Sequence, residues 1–289
     1  TMPKIPAPRA YLDGLDADDP ATGLHYANML EDKILQEGPE TVLAFIVEPV
    51  GGASTGALVP PASYMARIRQ ICDHYDVLLI HDEVMTGGGR TGRFFGGDHW
   101  DGAPDLIALS KGFGAGYMPL GAMIARNDMV EAVLDSGGFI HGHTYAGNPL
   151  ACVAGLAVLE QIEQHELTQN AARLGDALAM RLNGLMQKYP IIGDVRGKGL
   201  LMAFEMMADR ATKAPLPREM NAYNRLVDIA YNNGLIIYSR RTRGGISGDH
   251  FLVCPPMIVT EAQLDEITDI LDRSLAQFFD EVAPEITAA

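Results

Sequence analysis

The sequence predicts an α/β protein whose main sheet is mostly parallel, followed by a smaller α+β region. Short apolar runs occur at 41–50, 77–84 and 105–111, and the first of them is rich in β-branched residues. A helical pattern, "PASYMARIRQICDHYD" at 61–76, separates the first two runs. Strands that are apolar throughout are buried on both faces, as in parallel sheets whose strands are joined by helices.

The remaining elements follow from local patterns along the chain. Helical spacing predicts a helix over 26–37, and "PLGAMIAR" at 119–126 predicts a fourth strand. From Asn148 a long alanine- and leucine-rich stretch predicts helix with a break near His165. Further strands are predicted in "DVRGKGLLMAFEM", "GLIIYS" and "HFLVCPP", with helices over 219–233 and after Thr260. We therefore expect a large domain over 1–165 and a small domain over 166–289.

Composition restricts the class of partner. The 289 residues carry a formal net charge of -15, which argues against nonspecific binding to nucleic acid or to an anionic membrane. No apolar run approaches the roughly 20 residues of a membrane span. The three cysteines lie far apart without CxxC spacing, which disfavours a disulfide framework, and no metal site is predicted. These features predict a cytoplasmic protein that handles small molecules.

Polar residues end three of the predicted strands. Glu48 follows "AFIV", Asp82 and its neighbours follow "VLLI", and Lys111 follows "LIALS". Ligands of parallel sheets bind beyond the carboxyl ends of the strands. Each residue alone is compatible with a solvated turn or a helix cap, but the repeated pattern favours a common site.

Lys111 stands at the end of a strand that is otherwise apolar, and we expect its amine to be desolvated and therefore nucleophilic. The glycines that follow, "GFGAG", lack the third glycine of a dinucleotide fingerprint. Lys111 is followed by glycine rather than by the serine or threonine of a P-loop. The glycines are interpreted as letting the backbone pass close to a flat ligand, or as permitting tight turns beside Lys111.

A lysine and a buried aspartate on adjacent strand ends suit a Schiff-base cofactor. In pyridoxal 5'-phosphate chemistry, a lysine holds the aldehyde and an acidic residue pairs with the pyridine nitrogen. A buried carboxylate keeps that nitrogen protonated, so the ring can accept the negative charge that develops on the substrate. The lysine, once displaced, can move a proton between two carbons. Lys111 and Asp82 are therefore the predicted catalytic and cofactor-binding residues.

The segments "LLIHDEVMTGGGRTGRFF", "PDLIALSKGFGAGYMPLGA" and "HGHTYAGNPLACVAGLAVLE" resemble the class III aminotransferases of PLP fold type I, the omega-aminotransferase group. The resemblance extends from "FIVEPV" to "CPPMIVTEAQLDEI". It implies that Lys111 forms the Schiff base and that Asp82 pairs with the pyridinium. It also implies that Val84 packs on the ring and that Thr144 binds the phosphate across the subunit interface of a homodimer or a dimer of dimers. Without the resemblance, Thr144 would be interpreted as a helix cap near Asn148.

The sequence departs from this family in two places. The family's Ser-Gly-Ser phosphate loop and its ring-stacking aromatic residue lie before the segment that begins this chain, so we expect the C-terminal portion of a longer enzyme. Ala53 stands where relatives that act on glutamate or ornithine tend to have glutamate. Alanine there is typical of members that accept varied amines and often use pyruvate.

The run "YSRRTRGGISGDHF" at 238–251 places several arginines next to glycines in an otherwise acidic protein. Arginine binds carboxylates bidentately, and the resemblance implies a mobile arginine here that binds the keto acid. Arg241 and Arg243 are the predicted substrate-binding residues, with a solvated, salt-bridged loop as the alternative. Arg196 is predicted to hold its domain together.

The sequence thus predicts a PLP-dependent transaminase that moves an amino group from an amine or omega-amino acid to a keto acid, with pyruvate as the expected acceptor. Decarboxylase, racemase or aminomutase chemistry on the same fold is one alternative. A noncatalytic fragment that has lost cofactor binding is another.

Overall fold

The computed structural model describes residues 2–242 and 247–287, and the chain divides into two compact units. The first comprises Thr1–Pro49 and Pro60–Leu167, and the second comprises Val50–Val59 and Thr168–Ala289. The division after Leu167 lies two residues beyond the predicted boundary. The segment 50–59, expected in the large domain, belongs to the second unit.

The first unit contains a four-stranded sheet in the order β1-β2-β3-β4. Strands β1, β2 and β3 are parallel, and β4 pairs with β3 in the antiparallel direction. The prediction of a mostly parallel sheet is confirmed. In chain order the elements of this unit are α1 (Ala10–Asp13), α2 (Pro20–Glu37), β1 (Ala44–Val47), α3 (Tyr64–His74), β2 (Leu78–Asp82), β3 (Leu106–Leu109), β4 (Ala122–Ala125), α4 (Asn127–Asp135) and α5 (Pro149–Gln164).

Helices α2 and α3 pack together to form the core of the first unit. The Asp19 side chain accepts a hydrogen bond from the Ala21 amide and caps α2, and Pro20 occupies its first turn, where a missing N–H costs nothing. The core also includes Leu79 of β2. Its fully buried side chains include Tyr26, Ile34, Tyr64, Ile68, Ile71 and Leu79.

A buried carboxylate fixes β3 beside β2 at the start of the strand. Asp105 accepts hydrogen bonds from the Leu79 amide at 2.8 Å, from Arg69 at 2.9 Å and from Arg126 at 2.9 Å. Burial raises the pKa of Asp105, but these donors outweigh it and the pKa lies below its usual value. The ionised carboxylate therefore stabilises the relative position of the two strands.

The second unit contains an antiparallel sheet in the order β5-β6-β8-β7, with helices packed on it. Gly175 on α6 allows close approach, because a Cβ there would lie 2.3 Å from the Gly199 backbone, in the turn between β5 and β6. The elements are α6 (Leu167–Lys188), β5 (Ile192–Lys198), β6 (Leu201–Met206), α7 (Ala222–Asn232), β7 (Tyr238–Thr242), β8 (Ser247–Val253) and α8 (Glu261–Thr287).

Two side chains of the second unit hold the segment 50–59. Arg196 donates from Nε to the Gly56 carbonyl at 2.7 Å and from Nη2 to the Thr55 carbonyl at 3.1 Å. The His250 Nε2 lies 2.8 Å from the Ala53 carbonyl oxygen. Arg196 also pairs with Glu205 at 2.8 Å, so its predicted structural role is confirmed.

Several local predictions are confirmed and others are shifted. The long helix breaks as expected, since α5 ends at Gln164 and α6 begins at Leu167. Thr260 and Gln263 form the expected reciprocal cap of α8, with the Thr260 amide donating to Gln263 at 2.9 Å. The strand predicted in "GLIIYS" begins only at Tyr238. None of the described helices is long and apolar enough to cross a membrane.

Candidate active site

The end of β2 directs alternate side chains to opposite faces of the sheet. His81 is 1% exposed and Glu83 is 0% exposed, while Asp82 between them is half-buried. Successive strand residues point to opposite faces, so Asp82 lies on the face away from His81 and Glu83. The carboxylate predicted to bind a ligand is thus the one that remains accessible.

Asp82 is held by a local hydrogen bond. Its Oδ1 accepts from the Val84 amide at 3.1 Å, which bends the chain as it leaves the strand. The Val84 side chain is half-buried. One turn therefore carries both the carboxylate expected at the ring nitrogen of the cofactor and the apolar side chain expected on the face of the ring.

Lys111 follows the neighbouring parallel strand. In the register of β2 and β3, Asp82 lies opposite Ala108, three residues before Lys111. Strand β3 ends at Leu109, and Lys111 opens a short 3-10 turn with φ +43°, a left-handed conformation that is uncommon for a residue with a Cβ. The sheet therefore brings the two predicted catalytic residues to the same edge.

The expected burial of Lys111 is corrected by the structure, since its side chain is exposed among the described residues. The strand is apolar only as far as Leu109, and Lys111 lies outside it, in a turn. The next residue is Gly112, which has no side chain to cover the amine. The described residues by themselves do not desolvate this lysine.

A glycine-rich loop passes close to the turn that contains Lys111. A Cβ on Gly87 would lie 2.3 Å from the Leu109 side chain, and one on Gly112 would lie 3.5 Å from the Gly87 carbonyl oxygen. Gly88 has φ +81°, which favours glycine. A side chain at Gly87 would collide with Leu109, whereas a Cβ on Gly112 would make an ordinary van der Waals contact, so the close approach of the loop depends on Gly87.

Buried groups behind Asp82 support the loop. Glu83 accepts hydrogen bonds from the Gly96 and Gly97 amides, both at 2.7 Å, and from the Thr86 hydroxyl. Burial raises the pKa of Glu83, although these donors act in the opposite direction. Burial and the nearby Arg69 cation lower the pKa of His81 to about 4. No local pattern in the sequence points to Glu83, because the glycines that it binds are 13 and 14 residues away.

Thr144 lies on an exposed segment between α4 and α5. The alternative interpretation, a cap of α5, does not hold. Asn148 itself caps this helix, accepting from the Leu150 amide at 3.0 Å and from the Ala151 amide at 3.2 Å. The role of Thr144 in phosphate binding therefore stays a prediction.

Arg241 is engaged in a buried ion pair. Its side chain is 4% exposed, and its guanidinium donates to Asp249 from Nε at 2.8 Å and from Nη2 at 3.2 Å. The structure corrects the nomination of Arg241 as a substrate-binding residue, because an arginine held by a buried carboxylate is not available to a keto acid. Arg243 lies outside the described residues. Arg240 is exposed, and its Nε donates to the Tyr238 hydroxyl at 2.8 Å.

The described residues fit the chemistry of pyridoxal phosphate. An amine at Lys111 suits an aldehyde, a half-buried carboxylate at Asp82 suits a pyridine nitrogen, and Val84 offers an apolar contact. Gly88 and Gly112 leave room beside the lysine, since a Cβ on Gly88 would come no closer than 3.9 Å to its neighbours.

Comparison with known proteins identifies the family. Residues 1–275 match the model for "Aminotransferase class-III". The chain belongs to the class III aminotransferases. Pyridoxal phosphate, the predicted cofactor, is the cofactor of this class. An amine transaminase from an uncultivated Pseudomonas species, solved in the PLP-bound form, is similar in structure, with 38% identity and a TM-score of 0.83. The match covers 90% of this chain and 58% of that one.

Other class III relatives have named activities. The taurine–pyruvate aminotransferase of Bilophila wadsworthia is 40% identical over 257 residues, which cover 87% of this chain and 56% of the relative. The putrescine–pyruvate aminotransferase of Pseudomonas aeruginosa is 34% identical over 274 residues, which cover 94% of this chain and 58% of the relative. A transaminase from the marine bacterium Virgibacillus matches with a TM-score of 0.86 and 33% identity, covering 90% of this chain and 58% of that one. The chain therefore spans little more than half the length of these relatives. The structural similarity to transaminases confirms the predicted α/β fold class.

Proposed function

We propose that the protein is an aminotransferase that moves an amino group from an amine or omega-amino acid to a keto acid, with pyruvate as the acceptor. The observation that carries this proposal is the placement of Asp82 and Lys111 at the ends of the adjacent parallel strands β2 and β3. The names of the taurine–pyruvate and putrescine–pyruvate relatives support pyruvate as acceptor.

Each residue has a separate task in this proposal. When bound, pyridoxal phosphate supplies an electron-accepting ring and an aldehyde that takes up amines. Lys111 would hold the cofactor through its aldehyde and would supply the amine that moves a proton. Asp82 would keep the pyridine nitrogen protonated by charge pairing, and Val84 would offer an apolar contact to the ring.

Further binding roles are proposed for residues elsewhere in the chain. Thr144 binds the cofactor phosphate across the interface of a homodimer or a dimer of dimers. The acceptor carboxylate is bound by an arginine of the 240–243 run other than Arg241, either Arg243 or Arg240. Arg240 is suited to bidentate binding, because Tyr238 orients its exposed guanidinium.

The test compares Lys111→Ala with Lys33→Ala, which removes an amine from a surface pair on α2. The holoenzyme is incubated with a panel of amines and pyruvate, and alanine is measured. We expect Lys111→Ala to lower the rate by about 10²–10⁴-fold or more, the contribution of a positioned acid–base group. Lys33→Ala should retain the wild-type rate.

A second measurement does not depend on turnover. Borohydride treatment of the wild-type holoenzyme should bleach its visible absorbance and leave the cofactor attached to the peptide that contains Lys111. Full turnover by Lys111→Ala, or a label on another residue, would overturn the proposed mechanism. Alanine formation also distinguishes amino transfer from decarboxylation, racemisation and mutase chemistry.

A further inference from the structure

Glu83 connects the end of β2 to residues at the far end of the glycine-rich loop. Its carboxylate is 0% exposed. One oxygen accepts from Gly97, and the other accepts from Gly96 and from the Thr86 hydroxyl. Three hydrogen bonds to one buried carboxylate therefore hold the end of the glycine-rich loop against its beginning, directly after the turn at Asp82 and Val84.

The closed loop has a fixed shape. The Gly88 and Gly89 amides both donate to the Phe94 carbonyl, at 2.9 and 3.1 Å. The Gly87 amide donates to the Glu83 carbonyl at 2.8 Å. These bonds hold the first part of the loop, which lies against Leu109 and Gly112, on either side of Lys111.

Glu83 is also tied to the strand that leads to Lys111. Its amide donates to the Ala108 carbonyl at 2.9 Å, so its backbone continues the pairing of β2 with β3. Asp82 precedes Glu83 and faces the opposite side of the sheet. A change in the backbone at Glu83 therefore changes the direction of the Asp82 carboxylate.

We propose that Glu83 is a positioning residue for this site, and that its buried carboxylate fixes both the direction of Asp82 and the distance of the glycine loop from the Lys111 turn. The proposal rests on the proposed function. Glu83 faces away from the accessible side of the sheet and acts through Asp82 and the loop, not by contact with substrate.

The experiment uses the holoenzymes of Glu83→Ala and Glu83→Gln, with Asp98→Asn as the matched control. Asp98 is a carboxylate of the same loop region, but it is exposed, and among the described residues it accepts one long hydrogen bond, from the Phe95 amide at 3.4 Å. Glutamine keeps one acceptor oxygen and loses the other, so its defect should be smaller than that of alanine. The variants are assayed well below their unfolding midpoints.

Three readouts separate positioning from general stability. For Glu83→Ala we expect kcat to fall by roughly tenfold or more while the KM for the amine is little changed, since an interaction that orients catalytic groups acts on the transition state. The visible absorbance of the bound cofactor should change its pH midpoint, because that midpoint depends on how closely Asp82 is held to the ring nitrogen. Amide hydrogen exchange at Gly96 and Gly97 should become faster, with Glu83→Gln intermediate in all three.

The inference is overturned if folded Glu83→Ala or Glu83→Gln has wild-type kcat and a wild-type absorbance titration. Faster exchange without a change in either would mean that Glu83 only stabilises the loop. Failure of the proposed function has a different signature, since the wild-type protein would then form no alanine and carry no label on Lys111.

Discussion

Replacing Arg241 by methionine should destabilise the second unit without weakening the binding of a keto acid. Asp249 is 0% exposed and is paired with Arg241 at 2.8 Å. Burial raises the pKa of Asp249, while Arg241 acts to lower it. Without the guanidinium, the carboxylate must either stay charged in a buried place or take up a proton, and both cost free energy.

The expected cost follows from the burial of both partners. Removing one partner of a buried ion pair lowers the free energy of unfolding by about 3–5 kcal/mol. With a urea dependence of about 1–3 kcal/mol per molar, the unfolding midpoint falls by roughly 1–5 M. Adding Asp249→Asn to Arg241→Met should recover most of the loss, because no uncompensated charge then remains and the amide oxygen can still accept a hydrogen bond.

The assay is urea unfolding followed by circular dichroism at pH 7, for the wild type, both single variants and the double variant. Arg240→Ala is the control, and because this side chain is exposed we expect a change within about 0.5 kcal/mol. A loss below about 1 kcal/mol for Arg241→Met would refute the argument that the pair is desolvated. So would a double variant no more stable than the single one, or a folded Arg241→Met enzyme with a raised KM for pyruvate.

Two further predictions concern stability. Burial lowers the pKa of His81 and of His250 to about 4, so both rings are neutral when folded, whereas in the unfolded chain they bind protons below the ordinary pKa of 6.5. Each histidine should therefore contribute stability that is complete above pH 6.5 and falls by about 3 kcal/mol as the pH drops toward 4. Urea unfolding at pH 7 and pH 5 should detect part of this loss. A free energy of unfolding that is the same at both pH values would contradict the argument. On α6, Gly175→Ala should destabilise the fold by about 1–3 kcal/mol, because its Cβ meets the Gly199 backbone. Gly184→Ala, whose added Cβ has nothing within 4 Å, should stabilise the fold by about 0.5–1 kcal/mol. Equal shifts of the thermal unfolding midpoint for the two variants would contradict this reasoning.

The order of the elements, and the edge of the sheet at which the candidate site lies, could be predicted from the sequence alone. Apolar runs of strand length predicted β1, β2 and β3, and the parallel register then placed Asp82 and Lys111 at one edge. The break after α5 and the cap at Thr260 were also predicted. These are local properties, set by the periodicity of side chains and by the conformational preferences of single residues.

The partner of each charged group depends on the tertiary structure. No local pattern distinguishes Arg241, which pairs with Asp249, from exposed Arg240 beside it, because the difference comes from the pairing of β7 with β8 and from what packs on each face. The sequence around Glu83 likewise does not indicate that this carboxylate is buried, because its partners Gly96 and Gly97 reach it only in the folded loop.

The segment 50–59 shows the same limit over a longer distance. It follows β1 in the chain but packs in the second unit, through Arg196 and His250, which lie 140 and 197 residues from their partners Gly56 and Ala53. Hydrogen bonds between such distant residues depend on the whole fold. Local sequence therefore determines which segments become strands and helices, and the energetic need to pair each buried polar group determines where the segments between them are held.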